Sequence, residues 1–158
     1  MLFTCTECGK LYQAALNGDW ESVVDMLNIQ RKITTKYETT LHIAAAANQE
    51  EFVKKLLKWM TFRNCDLKAV NIIGNSALTY AAATGNVNIA SAMVEINSDL
   101  PNLNSGVKPL YMAAFLGHTK IADYLYSKTS GVVCRWDVDQ QADLFITCVK
   151  SGVYGKHK

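Results

Sequence analysis

Long apolar runs are missing from this chain of 158 residues. No stretch approaches the ~18–20 consecutive apolar residues that a membrane-spanning helix needs. Residues 1–10 also lack the apolar core of a secretory signal. The sequence therefore predicts a chain without a membrane span of its own.

A strong charge imbalance is missing as well, because 16 Lys and Arg residues face 14 Asp and Glu residues, for a formal charge of +2. Such a balance creates no field that would draw in nucleic acid or an anionic lipid surface. The only local basic excess, at Lys150, Lys156 and Lys158, is too sparse to form a patch. We expect no nucleic-acid partner.

Cysteines are few and odd in number: Cys5, Cys8, Cys65, Cys134 and Cys148. Without a secretory signal, this usage favours free thiols in a reducing, cytoplasmic compartment. The Cys5–Lys10 segment resembles the opening of a zinc finger, but the first histidine is distant, at His42. We expect residues 1–10 to be an unstructured N-terminal extension and expect no metal and no cofactor.

Recognisable arrangements of catalytic residues are missing from the sequence too. No Ser, Cys or Lys stands at a recognisable spacing from a base and from a group that would orient that base. The Gly74-Asn75-Ser76 segment lacks the Lys and the helix start of a phosphate-binding loop. We expect a protein that is not an enzyme.

What the chain does contain is a repeated pattern, Leu-x-x-Ala-Ala-x-x-Gly. Its copies are LYQAALNG (11–18), LHIAAAAN (41–48), LTYAAATG (78–85) and LYMAAFLG (110–117), at spacings of 30, 37 and 32 residues. Periods of this length are typical of stacked helical repeats. Stacked repeats offer an extended concave surface to partners.

A second apolar stripe follows each copy at offsets 11, 12, 15 and 16 from the leading Leu. This i, i+1, i+4, i+5 spacing is one face of a helix. Each unit is therefore predicted to be two short helices with a break between them, where Gly or Asn suits a left-handed backbone. The four breaks are predicted at Gly18, Asn48, Gly85 and Gly117.

TTLHIAAAAN, GNSALTYAAATGN and GVKPLYMAAFLGH resemble the ankyrin repeat, with His42, Pro109 and Gly117-His118 at the positions of that pattern. The amino-acid sequence of residues 11–129 is similar to that of plant ankyrin-repeat proteins that carry a C-terminal transmembrane PGG domain. That domain is not expected in this chain. The resemblance implies an all-α ankyrin solenoid, in which the His42 ring bonds the backbone of a neighbouring loop.

The predicted organisation has about four helix-turn-helix units and a degenerate fifth half-unit. The units span residues 11–35, 36–70, 71–103 and 104–134, and residues 135–158 form the fifth repeat and tail. Leu144 leads this fifth copy, with Thr147-Cys148 in the alanine places and Ser151-Gly152 at the break. Because its second helix is missing, we expect a truncated product, isoform or fragment whose end frays.

Three departures from the pattern predict local differences. Tyr37 stands where Gly74 and Gly106 occupy the turn of the finger-like loop, so Tyr37 has either a positive φ or another turn. Lys108 replaces the usual Thr or Ser, which removes a side-chain hydrogen bond of the turn. The 37-residue spacing indicates an insertion within Trp59–Asp66 that lengthens the connection between units two and three.

The resemblance also implies where a protein partner would bind. In ankyrin repeats the fingertips and the exposed end of the first helix line the concave face, and apolar groups there mark interaction sites. By register these positions are Glu38, Ile72, Ile73, Asn75, Thr84, Asn104, Val107, Phe115 and Leu116.

Two functions remain open from the sequence. The first is a non-catalytic interaction module or scaffold that binds a protein partner. The second is the cytosolic regulatory portion of a plant membrane ankyrin protein in stress or defence signalling, at the inner face of the plasma membrane. A downstream set of apolar helices in the transcript would favour the second function.

Overall fold

The computed structural model describes residues 5–133 and 135–153, and the regular secondary structure of these residues is helical. The fold is an all-α solenoid, as the repeat predicts. Its helices are α1 (Cys5–Asn17), α2 (Thr40–Ala46), α3 (Glu50–Phe62), α4 (Ala77–Thr84), α5 (Val87–Ile96), a 3-10 helix (Leu100–Asn102), α6 (Pro109–Phe115), α7 (Thr119–Val133) and α8 (Val138–Lys150).

The helices form two rows. Helices α1, α2, α4, α6 and α8 pack in that order as an inner row, and α3, α5 and α7 pack as an outer row. The repeated pattern builds the inner row, because its leading leucines and paired alanines are all buried. Small alanine side chains let consecutive inner helices approach closely, and the leucines fill the space between the two rows.

The predicted breaks are confirmed. Gly18, Asn48, Gly85 and Gly117 all have a positive φ, between 59° and 76°. At this left-handed position the chain reverses from an inner helix into the next segment. Tyr37 also has a positive φ of 62°, so the finger of unit two keeps the usual turn despite its bulky residue.

Unit one corrects the prediction of two helices in every unit. Residues 19–30 form consecutive turns with no α-helix, and Leu27, predicted on an apolar helix face, is 74% exposed. Val23, Val24, Asp25 and Asn28 are poor helix formers. Instead, Trp20 anchors the segment by packing edge-to-face on Phe52 of α3, with ring centroids 5.5 Å apart.

The N-terminal segment is another correction. Helix α1 begins at Cys5, so residues 5–10 are helical and the expectation of an unstructured extension is wrong for them. The Arg31 guanidinium lies 2.6 Å from the Glu7 carboxylate and ties this added part of α1 to the chain just before the finger of unit two. Residues 1–4 of the predicted extension lie outside the described residues.

The insertion in unit two lengthens a helix as well as a connection. Helix α3 has 13 residues and α5 has 10, so α3 is about one turn longer. Met60, in the added turn, is completely buried. Apolar burial therefore holds the extra residues in the outer row.

The described part of the predicted half-unit is a helix, α8, and the expectation that the end frays stays a prediction. In α8, Leu144 is 7% exposed and Thr147 is 9% exposed, and α8 packs on α6. The helix runs to Lys150, and Gly152 has a φ of 71° at the predicted break. The repeat boundaries at residues 35, 70, 103 and 134 stay predictions.

Two glycines let the fingers of units three and four touch. A Cβ atom added to Gly74 would lie 2.6 Å from the backbone nitrogen of Gly106, and one added to Gly106 would meet the Gly74 carbonyl. Side chains have no room between these backbones.

Candidate functional site

His42 joins the fingers of units two and three. Its Nδ1 accepts a hydrogen bond from the Thr39 backbone N–H (3.2 Å), and its Nε2 lies 3.1 Å from the Asn75 carbonyl oxygen. A backbone N–H can only donate, so Nδ1 carries no proton and Nε2 donates to Asn75. The predicted bond from the His42 ring to a neighbouring loop is confirmed.

Burial lowers the pKa of the His42 imidazole, although the Asn75 carbonyl and the Glu38 carboxylate act in the opposite direction. The ring is completely inaccessible to solvent. A proton added at Nδ1 would also face the Thr39 N–H. His42 is therefore a neutral structural link rather than a base available to a substrate.

Asn75, another residue of the predicted binding set, is only 8% exposed. Its Oδ1 accepts a hydrogen bond from the Val107 backbone N–H at 2.8 Å, while its own N–H donates to Asn71 Oδ1 at 2.9 Å. Together with the bond from His42, these contacts make Asn75 a connector of three successive fingers. The Oδ1, the backbone N–H and the carbonyl of Asn75 therefore serve the stack, and a contact of its side chain with a partner stays a prediction.

Glu38 is half-buried and engaged in the same way. Its carboxylate accepts hydrogen bonds from the Tyr80 hydroxyl (2.5 Å) and the Thr34 hydroxyl (2.9 Å). Asn71 Nδ2 donates to the Tyr80 oxygen at 3.0 Å. Burial and the bond to Glu38 raise the pKa of Tyr80 to about 12. Glu38 thus links units two and three, and any contact with a partner would compete with that link.

Three further residues of the predicted binding set, Val107, Thr84 and Asn104, are either polar or half-buried. Val107 is half-buried, and its carbonyl accepts a hydrogen bond from Thr79. Thr84 is half-buried and donates to the Ala81 carbonyl of its own helix at 3.0 Å. Asn104 is exposed, and its Oδ1 accepts from Lys108 Nζ at 3.1 Å.

Lys108 bonds the loop backbone, although its side chain makes no cap hydrogen bond to α6. Its ammonium donates to the Leu103 carbonyl oxygen at 2.6 Å, five residues back along the loop. Burial lowers the pKa of this ammonium. At the equivalent position of unit three, the Ser76 hydroxyl lies 3.5 Å from the Thr79 hydroxyl.

The four large apolar residues of the predicted set are exposed. Ile72 is 60% exposed and Ile73 is 68% exposed at the tip of the third finger; Phe115 is 62% exposed and Leu116 is 44% exposed at the end of α6. We call these four residues the proposed binding surface. The rest of the molecule holds their backbones: Ile72 N–H donates to the Lys36 carbonyl of the preceding finger at 2.8 Å.

Sequence reasoning missed one residue that contacts this surface, Tyr111, and one with an equivalent register position, Leu16. Tyr111 stacks on Phe115, with centroids 6.4 Å apart and planes inclined by 10°. Leu16, 41% exposed, occupies the place in unit one that Phe115 occupies in unit four, five residues after the leading Leu. The register of the repeats could have identified Leu16 as the equivalent of Phe115. The stacking of Tyr111 on Phe115 could not be predicted in this way, because it depends on side-chain geometry.

His118 directly precedes α7, and its backbone carbonyl accepts the first hydrogen bond of that helix, from the Ala122 N–H at 2.9 Å. Its Nε2 lies 2.9 Å from the Ala83 carbonyl oxygen, at the end of inner helix α4. The ring packs against Gly85, where an added Cβ would meet it at 2.9 Å. His118 therefore joins units three and four across the breaks.

Groups that could bind a metal ion do not assemble in the described part of the chain. Residues 5–133 and 135–153 contain no cluster of three or more His, Cys, Asp or Glu that could hold a metal ion. Burial raises the pKa of the Cys148 thiol, which disfavours the nucleophilic thiolate. Across the same residues, no helix combines the length and the apolar character that crossing a membrane requires.

A family model of ankyrin repeats, in three copies, matches residues 41–135, more than half of the chain. The chain therefore belongs to the ankyrin-repeat family. No match was found among the curated proteins. Ankyrin repeats are in general protein–protein interaction modules, and the family is typically non-catalytic.

Proposed function

We propose that this protein binds a protein partner through the concave face of the solenoid, with Ile72, Ile73, Phe115 and Leu116 as the apolar anchors. The observation that carries the proposal is the exposure of Phe115, 62%, at a position where packing requires no large side chain. Aromatic and aliphatic anchors contribute most of the binding energy of protein interfaces.

Comparison by register supports a binding role over a packing role. Units two and three have Ala46 and Ala83 at the Phe115 position, and these units pack without a larger group there. An exposed phenyl ring adds nothing to the core and costs solubility. Tyr111, stacked on the ring, restricts its motion and so lowers the entropy lost on binding.

The fingertip isoleucines are also held in place before binding. The Ile72 N–H bonds to the second finger, and the Ile73 N–H donates to Asn71 Oδ1 at 3.1 Å. Their backbones are fixed while their side chains project into solvent. Such preorganisation favours a partner whose own surface offers apolar pockets.

The test is the double change Phe115→Ala with Ile73→Ala. Truncating a buried anchor loses about 2 kcal/mol or more of binding, roughly thirtyfold in affinity for each such anchor. The purified chain first captures partners from a lysate for identification. Calorimetry with the recombinant partner then measures the affinity, which the double variant should lose while its melting temperature stays nearly unchanged.

The matched control is Phe62→Ala with Ile96→Ala, which removes the same two residue types from the outer row, where they are 88% and 42% exposed. Lys120→Glu is a second outer-row control. These variants should bind normally. If the Phe115/Ile73 variant unfolds, both side chains belong to the core. If it stays folded and binds with unchanged affinity, the assignment of the surface is wrong.

A more specific alternative is that this chain is the cytosolic regulatory portion of a plant membrane ankyrin protein. This alternative rests on the sequence resemblance of residues 11–129. It would place this chain at the inner face of the plasma membrane. Sequencing of the transcript, together with fractionation of its full product, tests it: downstream apolar helices and a membrane-bound product support the alternative, and a cytoplasmic product without them contradicts it.

A further inference from the structure

Acidic residues are placed away from the concave side of this near-neutral chain. Of its 14 Asp and Glu residues, only Glu38 belongs to the fingers of units two, three and four, residues 32–39, 70–76 and 103–108. The inner-helix residues five and six positions after the leading Leu are uncharged in units one to four. They are Leu16, Asn17, Ala46, Ala47, Ala83, Thr84, Phe115 and Leu116. The outer-row helices, in contrast, carry Glu50, Glu51 and Glu95.

Two lysines lie at one end of this acid-poor side, on the finger of unit two. A backbone bridge between Lys32 and Thr39 closes the base of the finger. The Lys32 ammonium lies 4.6 Å from the centroid of the Tyr37 ring. Lys32 and Lys36 are exposed, and neither forms an ion pair within the described part of the chain. Both ammonium groups are therefore available to a carboxylate of another molecule.

Glu38, the one acid of these fingers, is engaged with the stack. It is half-buried, and its carboxylate accepts hydrogen bonds from the Tyr80 and Thr34 hydroxyls. Its charge offsets part of the field of the two lysines, but it binds neither ammonium group.

The cationic fingertip directly adjoins apolar side chains. The Lys36 carbonyl accepts the Ile72 N–H at 2.8 Å, so the second and third fingers are in contact. Tyr37 is 49% exposed beside the lysines, and Ile72 and Ile73 are more exposed still. Cationic and apolar groups thus form one continuous surface along the fingers.

The dimensions of this surface suit a short linear segment. Inner helices α2, α4 and α6 pack on one another, and packed helices are roughly 8–10 Å apart, so three successive fingers span about 20 Å. An extended chain covers that distance with about six residues at ~3.3 Å each. Two lysines beside aliphatic side chains fit carboxylates of a polypeptide, whereas nucleic acid calls for a larger basic stripe.

We propose that the partner is recognised through a linear peptide segment in which acidic residues stand next to apolar ones. The carboxylates bind at Lys32 and Lys36, and the neighbouring apolar side chains contact Ile72 and Ile73. This inference rests on the concave-face function proposed above and adds the chemistry of the ligand. The lysines contribute mainly to specificity and to the association rate, and the apolar groups contribute affinity.

Selection from a phage library of random peptides tests this chemistry, with the unaltered full chain as the immobilised protein. Peptides of about twelve residues are long enough, because about six residues cover the three fingers. The enriched peptides should contain more Asp and Glu than the starting library, next to aliphatic or aromatic residues. Enrichment of neutral or basic peptides, or of no peptide, would overturn the inference.

Fluorescence anisotropy with a synthetic copy of the most enriched peptide then tests the site. Lys32→Glu with Lys36→Glu should weaken binding by roughly tenfold or more at low salt, because two attractions become repulsions. Lys36→Glu alone keeps Lys32 over Tyr37 and should weaken binding by about threefold. Raising the salt from about 0.05 M to about 0.5 M should weaken binding to the unaltered chain and reduce its difference from the double variant.

The matched control is Lys58→Glu with Lys120→Glu, which changes the net charge equally at two exposed lysines of the outer row. It should bind the peptide nearly as tightly as the unaltered chain, and melts of both double variants check their folding. An equal loss in both variants, or no loss in the Lys32/Lys36 variant, would overturn the inference.

The Phe115→Ala with Ile73→Ala variant reports separately on the proposed function. If it retains the peptide while the Lys32/Lys36 variant loses it, the apolar anchors proposed above are wrong and the recognition of acidic groups stands. The reverse result keeps the anchors and overturns the inference.

Discussion

Protonation of the His42 ring should make the stability of the folded chain depend on pH. Its neutral ring accepts from the Thr39 N–H and donates to the Asn75 carbonyl, and burial lowers its pKa from the ordinary value of 6.5. In the unfolded chain the ring takes up a proton near pH 6.5, but in the folded chain it does so only at a lower pH. The unfolded state therefore binds more protons in this window, and acid favours it.

We expect the free energy of unfolding to be highest above pH 6.5 and to fall as the pH drops below this value, with a slope of at most about 1.4 kcal/mol per pH unit from one proton. Urea unfolding between about pH 7 and pH 5, where most carboxylates stay ionised, measures the slope. His42→Gln removes the titrating group and should flatten the dependence. An equal slope in both proteins would show that His42 is not responsible.

The role of His42 was predictable because the segment TTLHIAA resembles the ankyrin pattern, which implies that this ring bonds a neighbouring loop. Asn75 was not predictable in the same way. A polar residue at a fingertip is exposed unless the neighbouring finger brings a donor to it, and here the Val107 N–H does so at 2.8 Å. That contact depends on the approach of two loops 32 residues apart, which residue type alone does not specify.

The inner row makes the contact between units three and four sensitive to side-chain volume. Ala82 of α4 is completely buried, and α4 packs directly on α6. Ala82→Leu should therefore overpack this contact and lower the free energy of unfolding by about 1–3 kcal/mol. Thermal and denaturant melts measure the loss.

Ala46→Leu is the matched control for this prediction, since Ala46 is an exposed residue at the end of α2. Its melting temperature should remain close to that of the unaltered chain. If Ala82→Leu melts at an unchanged temperature, the spacing between α4 and α6 is wider than the burial of Ala82 implies.

Periodicity predicted the inner helices well and one outer element badly. Ser22, Val23, Met26 and Leu27 satisfy the i, i+1, i+4, i+5 spacing, yet residues 19–30 form turns. An outer helix is stabilised by packing against its neighbours more than by its own propensity. In unit one Trp20 occupies the contact with Phe52, and the segment buries Val23 and Ile29 without becoming helical.

Across the molecule, each unit contacts only its neighbours, so stability should vary along the stack. Helix α4 packs on α2, α5 and α6, while residues 19–30 have no regular helix. Native-state hydrogen exchange at low denaturant should therefore show the slowest exchange in α4 and fast exchange in residues 19–30. Uniform protection of both segments would mean that the solenoid opens only as a whole.

The touching fingers of units three and four have a consequence for mutational mapping. Gly74 directly follows Ile73, and Gly106 lies 2.6 Å from the place of a Gly74 Cβ. An alanine at either glycine should push the two fingertips apart, because its Cβ would clash with the opposite backbone. The residues of the proposed binding surface would then no longer be aligned for a partner. A mutational scan that measures only the loss of binding would then identify Gly74 and Gly106 as contact residues, although a glycine has no side chain to contact a partner.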